Sequence, residues 1–137
     1  MSRHILVASR DKSLGELAKA AVQTLEYDVV VASDLSLALY LANKNMPDLV
    51  VTDEELIGGT GFDLLSELGN DEELNVIPII FISKESTNST VFEHATKLGA
   101  KKVIPKPTTI DAFFLELMPH LKFEAKSTNQ RPEYSPE

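Results

Sequence analysis

The chain contains no cysteine and no tryptophan among its 137 residues. Without cysteine there is no disulfide scaffold, no zinc site with thiolate ligands and no thiol nucleophile. Basic residues are also scarce. Thirteen Lys and Arg stand against 21 Asp and Glu, a formal net charge of −8. General nucleic-acid binding relies on Lys and Arg meeting phosphates, so this balance argues against it; it suits a soluble protein that meets other proteins. Apolar runs such as residues 77–82 fall far short of the roughly 18 residues that a bilayer span requires. The opening MSRHILVASR has neither the apolar length nor the small-residue cleavage pattern of a secretory signal, so a cytoplasmic location and no membrane partner are expected. The Asn88-Ser89-Thr90 triplet is then an accidental match to a glycosylation sequon. His4, His94 and His120 are scattered without ligand spacing, and no metal role is assigned to them.

What is present is a regular alternation of patterns. Residues 5–8 form a short apolar run, as expected of a strand buried on both faces. Leu14, Leu17, Ala18, Ala21, Val22 and Leu25 then recur at helical spacing, giving one apolar helix face. Ser13 with Glu16 fits a capping box, and Asp11 is a rival N-cap. Residues 29–32 read as a second strand and 35–43 as a second helix, with Asp34 or Ser33 at its start. Residues 49–52 are a third strand ending at Asp53, followed by a loop with Gly58, Gly59 and Gly61, and by a helix over 62–68. Residues 79–82 are a fourth strand. A weaker helix over 91–98 is closed by Gly99, a residue suited to a left-handed C-cap. Residues 103–104 make a short last strand, and Ile110, Phe113, Phe114, Leu117, Met118 and Leu121 a last helix face. The tail from about Lys122 is polar with two prolines, and disorder or the start of a linker is expected there.

Strict strand–helix alternation implies a parallel sheet with helices on both faces. In such sheets ligands bind beyond the carboxyl ends of the strands, near the point where strand order reverses. Those ends carry Ser9, Arg10 and Asp11 after the first strand, Asp53, Glu54 and Glu55 after the third, Ser83 and Lys84 after the fourth, and Lys106-Pro107 after the fifth.

Over roughly residues 3–121 the chain resembles the receiver domain of two-component response regulators. Three segments carry the resemblance. The first is residues 47–53, PDLVVTD, with Gly58 and Gly61-Phe62 after it; the second is residues 79–83, IIFIS; the third is Gly99-Ala100 followed by Lys106-Pro107. The resemblance implies a flavodoxin-like doubly wound sheet of five strands in the order 2-1-3-4-5, with the domain spanning residues 1–121 and residues 122–137 outside it. It implies that Asp53 accepts a phosphoryl group from a histidine kinase or phosphotransfer protein. Ser83 would then donate to the phosphoryl oxygen, and Lys106 would supply positive charge. It further implies a cis bond before Pro107, a signalling role rather than a turnover enzyme, and an output partner or missing output domain. The face of the last two helices and last strand would serve partners or homodimers.

Against that family pattern, the acidic pair that helps the acceptor aspartate hold Mg²⁺ is replaced by Ser9 and Arg10. An inward Arg10 would pair with the Asp53 carboxylate in the metal's place; an outward one would pair with Glu54 or Glu55 on the rim. Glu55 is the residue able to return a negative charge, so Asp53 and Glu55 are the weak metal candidates. Val103 stands where the family has an aromatic ring that swings, and Ile57 where it has a proline. Two functions follow: a phosphoryl-accepting receiver, or a degenerate receiver acting as a protein-interaction module. A flavin protein of the same fold class is disfavoured, because Ser9-Arg10-Asp11-Lys12-Ser13 is a poor phosphate loop.

Overall fold

The computed structural model describes residues 3–122; the polar tail, for which disorder was expected, lies beyond residue 122. The described elements are β1 (Arg3–Ala8), α1 (Lys12–Ala21), β2 (Tyr27–Ala32), α2 (Leu35–Asn45), β3 (Leu49–Thr52), β4 (Glu55–Leu56), β5 (Gly59–Thr60), α3 (Gly61–Gly69), β6 (Ile79–Ile82), α4 (Ser89–Lys97), β7 (Lys102–Ile104) and α5 (Ile110–Leu117). Single 3₁₀ turns follow α1 and α5.

The main sheet is parallel, in the order β2-β1-β3-β6-β7. With the small antiparallel hairpin β4–β5 set aside, this is the expected 2-1-3-4-5 order. All four residues of β3 and of β6 are buried, because helices cover both faces. Alternate residues feed two cores. Leu6, Ala8, Val50 and Phe81 meet Ala38, Ala42, Leu64, Leu68 and Ala95 of α2, α3 and α4. Ile5, Val7, Leu49, Val51 and Ile80 meet Leu14, Ala18, Phe113 and Leu117 of α1 and α5. Among the described residues no helix is long and apolar enough to cross a membrane.

Side chains that cap helices do so with local hydrogen bonds, which satisfy orphan backbone N–H groups. At α1 the cap is Asp11, which accepts from the Ser13 N–H; it prevails over the Ser13–Glu16 box. Asp34 caps α2, Asn88 caps α4 and Thr109 caps α5. The hairpin β4–β5 was not foreseen. Its strands are two residues each, too short for any period to show, and its turn rests on Gly58 at φ 81°. Gly99 has φ 117°, as its C-cap position after α4 requires.

Candidate functional site

Ser9, Asp53 and Ser83 share one origin: each is the first residue past a central strand, and the sheet register sets Ser9 level with Asp53 and Ser83 one residue further along. The Asp53 N–H donates to the Ala8 carbonyl and the Ser83 N–H to the Ile104 carbonyl, at 2.8 and 3.0 Å. The chain then turns back at Gly61, whose N–H donates to the Glu54 carbonyl at 2.8 Å. A Cβ at Gly61 would sit 2.2 Å from the Asp53 carbonyl oxygen, so only glycine lets α3 start this close to the site. Thr60 and Asp63 form a capping box at that start.

Above these strand ends lies an open pocket of about 430 Å³, lined by Arg10, Asp11, Asp53, Glu54, Glu55, Lys84 and Lys106. It sits at the β1–β3 boundary, where the strand order reverses. The Asp53 side chain is 19 % exposed. Its Oδ2 accepts from Ser9 Oγ at 3.0 Å and from Lys106 Nζ at 3.4 Å, and its Oδ1 accepts from the Glu54 N–H at 3.0 Å. The structure thus brings Ser9 and Lys106 to Asp53.

Lys106 has a nearer partner than Asp53. Its Nζ lies 2.8 Å from Asp11 Oδ2, so one ammonium bridges two carboxylates from different loops. The bond from Lys106, with those from Ser13, holds the Asp11 carboxyl down at about 2, against an ordinary 3.8. Asp11 in turn is the main reason that Lys106 titrates above its usual 10.5 despite partial burial. Sequence reasoning took Asp11 only as a helix cap. It does both jobs, one oxygen for Ser13 and the other for Lys106.

The geometry decides between the two placements open to Arg10 and corrects two further expectations. Arg10 takes the outward one: it is exposed, does not pair with Asp53, and lies 3.6 Å from Glu55 Oε1 across the pocket mouth. Guanidinium burial is costly, and the rim carboxylate lets the charge stay hydrated. Glu55 accordingly points to Arg10 and, at 80 % exposure, away from Asp53. The peptide bond before Pro107 is trans, since the described chain holds no cis bond; trans is the intrinsically favoured isomer even before proline. Lys106 reaches Asp53 all the same.

Ser83, 1 % exposed, donates from Oγ to Glu54 Oε1 at 2.9 Å and accepts the Glu85 N–H at 2.9 Å. Glu54 as a partner of Ser83 was missed, for a residue beside an acceptor position gives no sign of where its side chain turns. Val103 lies on β7, half-buried and packed against the core that contains Phe81.

A divalent cation of the magnesium type wants several carboxylate oxygens free to face one point, with water completing the shell. The residues here do not offer that. Asp11 is committed to Lys106 and Ser13, one Glu54 oxygen to Ser83 and Glu55 to Arg10. Among the described residues no group of three or more carboxylate or imidazole side chains is arranged to hold a metal ion. Three cations meet four carboxylates around this pocket, so its charges are largely settled internally.

A family model described as the response regulator receiver domain matches residues 5–117. The chain is 31 % identical over 106 residues to the chemotaxis protein CheY-3 of Vibrio cholerae, covering 77 % of this chain and 81 % of that one. It is 27 % identical over 110 residues to histidine kinase P4 of Formosa agariphila, of whose length it spans 8 %. Among solved structures, the non-phosphorylated HemR receiver domain of Leptospira biflexa superposes with a TM-score of 0.74 at 30 % identity, over 96 % of this chain and 99 % of that one. With the fold, the strand-end aspartate and the lysine reaching it from the last strand, these matches make the chain a member of the response regulator receiver domain family of two-component signalling.

Proposed function

We propose that Asp53 is the phosphoacceptor of this receiver and that the phosphoryl group comes from the phosphohistidine of a histidine kinase or phosphotransfer protein. The observation that carries the reading is the partly exposed Asp53 carboxylate, which lines the pocket with Lys106 Nζ at 3.4 Å. A carboxylate oxygen attacks phosphorus, the P–N bond breaks, and the imidazole leaves with the electron pair and takes up a proton from solvent. In transit the phosphoryl group carries charge on its three equatorial oxygens, which need cations close by. Lys106 supplies one, with Arg10 and Lys84 on the pocket rim. The chain then works as a cytoplasmic signalling module that switches a protein partner or an attached output domain. Residues 1–121 form the receiver unit on this reading.

A second reading has its own support. The committed carboxylates around Asp53 leave a donor set that does not fit magnesium, which favours a receiver that signals by protein contact without phosphorylation. Incubation with a small phosphodonor, with and without Mg²⁺, followed by intact mass measurement, separates the two. A gain of one phosphoryl group that Asp53→Asn abolishes supports the first. No gain under either condition, and none from a panel of histidine kinases, supports the second.

A further inference from the structure

The pocket is joined to the loop between β6 and α4 by a continuous chain of hydrogen bonds, and Glu54 is its middle link. The Glu54 N–H donates to Asp53 Oδ1 at 3.0 Å, while Glu54 Oε1 accepts from Ser83 Oγ at 2.9 Å. Ser83 Oγ accepts the Glu85 N–H at 2.9 Å. The Glu85 carbonyl accepts the Asn88 N–H, also at 2.9 Å. Asn88 is the N-cap of α4, its side chain accepting from the Thr90 and Val91 N–H groups. One residue thus touches the Asp53 carboxylate with its backbone and the next loop with its side chain.

The chemistry of Ser83 makes this link exclusive. A hydroxyl has one proton to give, and Ser83 is 1 % exposed, so water does not compete for it. Ser83 gives that one hydrogen bond to Glu54, and any acceptor arriving on Asp53 must displace Glu54 to receive it. On β7, Val103 has neither ring nor hydroxyl with which to carry a signal. We propose that Glu54 is a positioning residue that couples the charge on Asp53 to the β6–α4 loop and the α4 N-terminus, a regulation of this site that rests on Asp53 being where the signal is written. When the Asp53 carboxylate loses charge, its pull on the Glu54 N–H weakens. The Glu54 side chain shifts its hold on Ser83, and the Glu85 and Asn88 amides loosen or tighten with it.

The test uses the whole chain and neither phosphodonor nor metal. Asp53→Asn removes the charge while keeping the shape and an oxygen acceptor. Amide hydrogen exchange at Glu85, Asn88, Thr90 and Val91 is read by NMR with and without that change, in four backgrounds: wild type, Glu54→Gln, Glu54→Ala and Ser83→Ala. Coupled neighbours in one hydrogen-bond network predict a change of about threefold or more in the wild type. Glu54→Gln, which keeps an oxygen for Ser83, preserves it; Glu54→Ala and Ser83→Ala abolish it. An equal response to Asp53→Asn in the Glu54→Ala background overturns the proposal, and so does no response in the wild type. Failure of Asp53 to take a phosphoryl group would sink the acceptor reading and leave these exchange results standing, so the two failures are told apart.

Discussion

The middle of the sheet and its carboxyl rim are a few residues apart along every strand, yet they are held by opposite physics. In the middle, Val50, Val51, Ile80 and Phe81 are wholly buried and entirely apolar. On the rim, Arg10, Asp11, Asp53, Glu54, Glu55, Lys84 and Lys106 surround one open pocket. Apolar burial is the main term in stability, whereas half-exposed ion pairs stabilise little. Substitutions in the middle should therefore unfold the protein, and substitutions at the rim should change what it does.

The largest effect expected is that of Phe81→Ala. Phe81 is 0 % exposed and its ring centroid lies 4.7 Å from that of Phe62. Urea denaturation should show a loss of about 3–5 kcal/mol, a large part of the stability of a small domain. Gly61→Ala blurs the boundary between the two regions, because the new Cβ would press on the Asp53 carbonyl from 2.2 Å away. A loss of about 1–3 kcal/mol is expected from such overpacking, together with a displaced Asp53 resonance in NMR spectra; a variant as stable as the wild type would break the comparison from the rim side.

Lys106→Met should cost less than about 1 kcal/mol, since both its ion pairs are partly exposed. Phosphoryl uptake from a small donor should nevertheless fall at least tenfold, because the cation nearest Asp53 is gone. Equal uptake would remove Lys106 from the proposed chemistry. The smallest effect is in acid. The Asp11 carboxyl is held at about 2 in the folded chain against an ordinary 3.8, so the unfolded chain binds this proton first. Its stabilisation is present above about 3.8 and is lost as pH falls through about 2. Stability curves of Asp11→Asn and wild type should run parallel above that window and converge within it.

Much of the middle was legible from sequence, because burial on two faces writes a plain signal. Runs of three or four consecutive apolar residues, set between helical periods and ended by a polar residue, gave each central strand to within a residue or two. The rim was legible only in part. Asp53, Ser9, Ser83 and Lys106 follow from strand ends and register, and the structure brings Ser9 and Lys106 to Asp53. The Arg10–Glu55 rim pair was one of two alternatives, but the Lys106 partner of Asp11 and the Ser83 partner of Glu54 did not follow. Arg10, Asp11, Glu54 and Glu55 each have a long or pivoting side chain on a turn, with more than one partner of opposite charge or matching hydrogen bond in reach. The hairpin β4–β5 escaped because two-residue strands have no period to read.

The sequence by itself determined the alternation of elements, the parallel sheet and the place of Asp53 at its rim, since hydrophobic period and strand termination are local properties. Only the tertiary structure decided who neutralises whom there. Lys106 lies nearer Asp11 than Asp53, Arg10 turns out to Glu55 and Glu54 accepts the Ser83 hydrogen bond. Those choices depend on differences of about an ångström between groups more than twenty residues apart in the chain, where desolvation and pair geometry, rather than residue type, select the partner.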